Sequence, residues 1–231
     1  MTSWPERVAV LERLTKVGVL PTVNVETTVG NYVEIARALL EGGIPAMEIL
    51  YRPVLSEIPI GRFEAIREIR RALAGTRFLI GCGTLQTAED VSLAHAYGAQ
   101  FVVSNAAAIE VVKAANTKGI LVMPAAETQE EVRSLLPYNP LAIKLFMPSP
   151  LDVRDSTLRL QQFRGCFPRT GFAVTGGINL DNAAWFLQEG YLFVISGGMV
   201  KQDVVSRNAW KEISEAAEHF AAQVSVARKK G

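Results

Sequence analysis

Two ionisable residues interrupt runs that should be apolar: Lys144 at the centre of LAIKLF and Glu48 at the centre of AMEIL. A buried charge is costly unless it is paired or used, so each position asks for a reason. The other seven of the eight lysines (Lys16, Lys113, Lys118, Lys201, Lys211, Lys229 and Lys230) lie in polar or helical surroundings. An amine of ordinary pKa, about 10.4, is neutral in roughly one molecule in a few thousand at pH 7, too few for efficient attack on a carbonyl carbon. Apolar neighbours such as Ile143, Leu145 and Phe146 disfavour the ammonium form, which makes Lys144 a candidate Schiff-base nucleophile. A nearby carboxylate acts in the opposite sense, so Glu48 is expected to face substrate or a water at least as much as the lysine, as a proton carrier. A buried structural ion pair between the two is the competing reading.

Strand alternation places these groups together. Ala46, Glu48 and Leu50 share one face of their run and Arg52 continues it past the end, while Ala142, Lys144 and Phe146 share a face of theirs. If both faces point inward, an amine, a carboxylate and a guanidinium converge at one mouth of the fold. Thr84, in GCGT, adds a hydroxyl just beyond a third strand, where it serves either the site or a turn. Two glycine pairs stand further on, Gly176 and Gly177 after Thr175 in TGGIN, and Gly197 and Gly198 in SGGMV. Each leads from a strand candidate into a helical segment. Bare backbone there can offer amide N–H groups to a phosphate, and tight turns needing positive φ are the alternative.

The elements that must position these residues alternate regularly. Strand candidates fall at Val19–Asn24, Ala46–Leu50, Arg77–Cys82, Gln100–Ser104, Ile120–Met123, Leu141–Phe146, Gly171–Thr175 and Leu192–Ser196, eight in all. Segments of helical period lie between and after them, with caps such as Thr87 and Asn179, and an amphipathic helix over Pro5–Lys16 precedes them. Eight successive βα units predict a (β/α)₈ TIM barrel with an N-terminal helix, a single domain over residues 1–231. A doubly wound open sheet is the alternative.

Composition narrows the function. With 24 basic and 23 acidic residues interspersed, the net charge of +1 offers no basic face for nucleic acid. No apolar run approaches the roughly 20 residues that span a bilayer, and acids in the N-terminal segment are unlike a signal peptide, so a cytoplasmic protein without membrane association is expected. Cys82 and Cys166 have no metal spacing and are expected to be small buried hydrophobes. His95 and His219 read as structural or surface residues, and neither a metal nor a cofactor is expected.

Taken together, MEILYR with Glu48 and Arg52, GCGT with Thr84, GAQFVVS before Asn105, IKLF with Lys144 and Phe146, and TGGIN resemble one family in order and spacing. It is the family of 2-keto-3-deoxy-6-phosphogluconate (KDPG) aldolase and 4-hydroxy-2-oxoglutarate aldolase, and the resemblance runs from about Val17 to Val224. It implies a metal-independent class I aldolase, a homotrimer in most members, that splits a phosphorylated 2-keto acid into pyruvate and glyceraldehyde 3-phosphate. By that resemblance Lys144 forms the Schiff base and Glu48 is the acid/base. Arg52 and Thr84 hold the pyruvate carboxylate and neighbouring oxygens, Phe146 packs on the substrate, and Thr175, Gly176, Gly177, Gly197 and Gly198 line the phosphate end. The chain departs from the family pattern at Leu50, where threonine is usual, at Asn105, where proline is common, and at Gly198, where a phosphate-binding serine is common. It also carries about six extra residues after Arg52 and a longer loop after Lys144. The same chemistry on a galactonate-derived or unphosphorylated keto acid, another phosphate-binding barrel, and a barrel that binds a metabolite without catalysis are the other readings.

Overall fold

The computed structural model describes residues 4–51, 60–147 and 153–229. After helix α1 (Trp4–Val17), strand β1 (Val19–Val23) leads to α2 (Val29–Glu41), β2 (Ala46–Leu50) to α3 (Ile60–Ala72), and β3 (Leu79–Leu85) to α4 (Ala88–Ala96). β4 (Phe101–Ser104) leads to α5 (Ile109–Lys118), and β5 (Leu121–Met123) and β6 (Ala125–Ala126) lead to α6 (Gln129–Leu135). β7 (Ala142–Phe146) then precedes α7 (Val153–Cys166), β8 (Gly171–Thr175) precedes α8 (Leu180–Gln188), and β9 (Val194–Ser196) precedes α9 (Gln202–Ser206) and α10 (Trp210–Lys229).

All pairings are parallel and run β5-β4-β3-β2-β1-β9-β8-β7-β6. The two edges of that order are halves of one strand, broken at Pro124, so the sheet curls into a nearly closed barrel of eight βα units. Proline has no N–H for a ladder and locks its own φ. Its carbonyl still accepts a hydrogen bond from the Lys144 amide at 2.9 Å, which ties the break to the strand that carries the lysine. The predicted fifth strand therefore continues past Met123 as a second piece. The third starts later than predicted, at Leu79, and extends to Leu85. The short α9 was not predicted.

The strands carry two apolar faces. Residues such as Met47, Ile49, Ile80 and Cys82 pack outward against the helices, as the parallel-barrel plan requires. Leu20, Ala46, Leu79, Phe101, Leu121 and Phe193 fill the interior, and Leu14 of α1 joins them, sealing the end of the barrel where the strands begin. Gly81 has to be small, since a Cβ there would strike the Phe101 ring. Thr87 and Asn179 cap α4 and α8 in capping boxes. One expectation fails: Cys166 is exposed rather than buried, because it falls in the last turn of α7.

Candidate active site

The register brings the inward residues into layers. Thr22 of β1 pairs with Glu48 of β2, and Glu48 pairs with Gly81 of β3. Across the barrel, Lys144 of β7 lies between Ala125 of β6 and Ala173 of β8. Because Ala46 and Ala142 belong to the interior cluster, the two-residue period of a strand turns Glu48 and Lys144 inward as well, one step nearer the carboxyl ends. The small partners are part of the design. Gly83 lies so close to Glu48 that a Cβ on it would overlap the carboxylate.

Both charged groups are removed from water, Glu48 with 1% and Lys144 with 6% of its surface exposed. Burial raises the Glu48 pKa to about 7, with the positive charge of Lys144 pulling the other way. Burial likewise lowers the Lys144 pKa, against the opposing pull of Glu48. Glu48 Oε2 has no hydrogen-bond partner, and no ion pair within 4.0 Å joins the two side chains among the described residues. The arrangement therefore favours the neutral amine more than water does, beside a carboxyl group whose pKa burial raises to about 7, and leaves Glu48 Oε2 without a partner in the protein.

Around this pair the rim is varied. Phe146, 40% exposed, ends β7 beside Thr175 of β8. Thr175 donates to the Ile195 carbonyl at 3.3 Å, linking β8 to β9. Thr84 adopts φ 63°, a costly conformation for a β-branched residue, and its hydroxyl donates to the backbone carbonyls of Tyr51 and Gly83. Its hydroxyl thus closes a turn at the rim of the barrel. Arg52 lies outside the described residues.

The two glycine pairs differ. Gly176 and Gly177 have φ 98° and 66°, and a Cβ on Gly176 would come within 2.6 Å of the Met147 carbonyl oxygen, so the turn itself demands glycine. Gly197 and Gly198 have no such backbone requirement. A Cβ on Gly197 would lie 3.2 Å from Thr22 Oγ1, whereas Gly198 has only Ser196 Oγ, at 3.8 Å. Ser196 joins the loops, donating to the Ile178 carbonyl at 2.9 Å while accepting from the Gly198 amide at 3.4 Å.

Two further residues belong to this region. Thr22 faces the interior next to Glu48, and only the alternation within VLPTV could have signalled it. Arg62 is a buried guanidinium that holds the Leu50 carbonyl and pairs with Glu26, binding the ends of β1 and β2 to the start of α3. It had no local signal, since IGRFEAIREIRRA reads as an ordinary basic helix. Among the described residues no group of three or more His, Cys, Asp or Glu side chains could hold a metal, and His95 and His219 are on the surface.

A nearly closed parallel barrel with an amine and a carboxyl group buried at the carboxyl ends of its strands defines the class: a (β/α)₈ barrel with its polar centre where such folds carry their chemistry. The family model of KDPG and KHG aldolases matches residues 10–216, and the chain belongs to that family. A 2-dehydro-3-deoxy-phosphogluconate aldolase of Treponema pallidum is 29% identical over 208 residues, covering 90% of this chain and 93% of the relative. One from Pseudomonas aeruginosa is 28% identical over 208 residues, covering 88% and 89%. The crystal structure of KDPG aldolase from Legionella pneumophila, with pyruvate captured as a covalent carbinolamine, superimposes with a TM-score of 0.77 at 22% identity, covering 91% of this chain and 97% of that one.

Proposed function

We propose that this chain is a class I aldolase that cleaves KDPG, or a close 2-keto acid, to pyruvate and an aldehyde, glyceraldehyde 3-phosphate in the case of KDPG. The observation that carries the reading is Lys144, buried and inward-facing, with its pKa lowered opposite a carboxyl group that titrates near 7. The family, and the names of the relatives, support the same chemistry.

The neutral Lys144 amine adds to the C2 ketone, and Glu48, directly or through a water, supplies the proton that lets the carbinolamine lose water. The product is an iminium. Glu48 in its carboxylate form then accepts the C4 hydroxyl proton, the C3–C4 bond breaks, and its electron pair passes to the iminium nitrogen as the aldehyde departs. The resulting enamine is protonated at C3 and hydrolysed, which frees pyruvate and restores the amine. Phe146 would pack along the substrate, and Arg52 would hold the carboxylate. The amides around Gly176, Gly177, Gly197 and Gly198, with Thr175 beside them and α9 following, would receive the phosphate. Thr84 would serve by keeping the rim in shape.

Leu50 and Gly198 remove two hydroxyls that the family usually has, which favours a second reading: the same steps on 2-keto-3-deoxy-6-phosphogalactonate or on 4-hydroxy-2-oxoglutarate. Turnover of the three acids compared at one enzyme concentration separates them. A homotrimer in the cytoplasm belongs to the same proposal; among the described residues no helix is long and apolar enough to cross a membrane.

Pyruvate with borohydride is the direct test. The expected result is one pyruvate-sized mass increment, mapped to Lys144 and absent in Lys144→Met. An unmodified protein, or an increment on another lysine, would refute the Schiff-base assignment.

A further inference from the structure

Hydroxyl groups near the carboxyl ends of the strands are mostly committed to the fold. Thr84 donates to the Tyr51 and Gly83 carbonyls, Ser104 to the Ala106 carbonyl at 2.6 Å, Thr175 to the Ile195 carbonyl at 3.3 Å and Ser196 to the Ile178 carbonyl at 2.9 Å. Thr22 of β1 differs from these four. Among the described residues no hydrogen bond employs its hydroxyl. The residue is half-buried between buried neighbours, and its oxygen does not count among the fully buried side-chain atoms that lack a partner. The hydroxyl is therefore both uncommitted and open to a ligand.

Its place is fixed on both sides. Leu20 of the same strand fills the interior while Val19 and Val23 pack outward, so alternation turns Thr22 inward. In register it pairs with Glu48 on one flank. On the other flank β1 pairs with β9, Pro21 opposite Ser196, and a Cβ on Gly197 would lie 3.2 Å from Thr22 Oγ1. The hydroxyl thus stands between the Glu48 carboxyl group and the loop of Gly197 and Gly198.

Packing alone does not call for threonine here. Valine has the same branched shape and suits a barrel strand without bringing a polar atom inward. What the oxygen adds is a hydrogen-bonding group presented to whatever enters the mouth of the barrel.

We propose that Thr22 binds the C5 hydroxyl of the substrate and so selects 2-keto acids that carry one, an inference that rests on the aldolase reading. In that reading the C4 hydroxyl gives its proton to Glu48, and the phosphate on C6 lies at the glycine loops. C5 joins the two, and its hydroxyl falls in the interval that Thr22 occupies. A threonine hydroxyl both donates and accepts, as does the hydroxyl it would meet. 4-Hydroxy-2-oxoglutarate, whose chain ends in a carboxylate at C5, has no such group.

Steady-state kinetics of the full chain on KDPG and on its 5-deoxy analogue test the assignment. Thr22→Val is expected to lose roughly 3- to 10-fold in kcat/KM on KDPG, the worth of one neutral hydrogen bond, and to lose nothing on the analogue. Thr22→Ser, which keeps the oxygen, should keep the wild-type ratio between the two substrates. Thr22→Ala should lose it, and stands in if the valine variant does not fold. A merely structural role would lower both substrates alike. 2-Keto-3-deoxy-6-phosphogalactonate, with the same C5 hydroxyl, replaces KDPG if it is turned over faster. The proposal is overturned if the ratio is unchanged in the folded valine or alanine variant, or if the wild type turns over 4-hydroxy-2-oxoglutarate faster than either phosphorylated acid. Pyruvate trapping on wild-type Lys144 is a separate readout: trapping with an unchanged ratio refutes the Thr22 assignment alone, whereas no trapping refutes the Schiff-base reading beneath it.

Discussion

Glu48 is held between two demands. Proton transfer near pH 7 calls for a carboxyl group with a pKa near 7, and the barrel supplies it by excluding water from a side chain whose ordinary value is 4.5. The same burial makes the ionised form a burden on the fold. Because the folded protein holds this proton more tightly than the unfolded chain, the Glu48 contribution is fully present below pH 4.5 and is lost as pH rises through about 7. The span from 4.5 to about 7 corresponds to roughly 3 kcal/mol. Glu48→Gln, which cannot ionise, is therefore expected to gain thermal stability relative to the wild type between pH 5 and pH 8, while its turnover falls by roughly 10²–10⁴. Calorimetry at the two pH values checks the first half. A stability difference independent of pH would mean that Glu48 does not carry the raised pKa.

Strand β3 shows how an element is shaped by a side chain on its neighbour. GCGT has glycine at each inward position, Gly81 under the Phe101 ring and Gly83 against the Glu48 carboxylate. In Gly83→Ala the added methyl would push the carboxylate away from its place or force the strands apart, and overpacking of this kind costs about 1–3 kcal/mol. Turnover is expected to fall far more than pyruvate trapping on Lys144, because the nucleophile lies on another strand. Equal losses in both would point to a general collapse instead. Alternation alone reveals the inward face of β2 and β7, since Glu48 and Lys144 are chemically out of place in apolar runs. It does not reveal why Gly83 is glycine, or that Thr84 spends its hydroxyl on the Tyr51 carbonyl, because both follow from the pairing of β3 with β2. Pro124 is visible in the sequence, yet its effect, one strand serving both edges of the sheet, depends on closure. Arg62 escapes for the same reason: its acceptor, the Leu50 carbonyl, lies on a strand 12 residues earlier in the chain.

At the scale of the molecule, a barrel needs a closed end as much as an open one. The interior cluster that includes Leu20, Phe101 and Phe193 ends on Leu14, 1% exposed, and Val10 and Leu11 pack around it. Hence α1 completes the core that the eight βα units leave open. Leu14→Ala would leave a cavity against Phe and Leu side chains that cannot readily collapse, at a cost of roughly 2–5 kcal/mol. If α1 were only an appendage to the barrel, the melting temperature would barely move. A clear fall, in a variant that still traps pyruvate on Lys144 below its melting point, is the expected outcome. It would show that the seal and the chemistry occupy opposite ends of one cooperative core, with the apolar layers between them isolating the reacting amine from the solvent beneath.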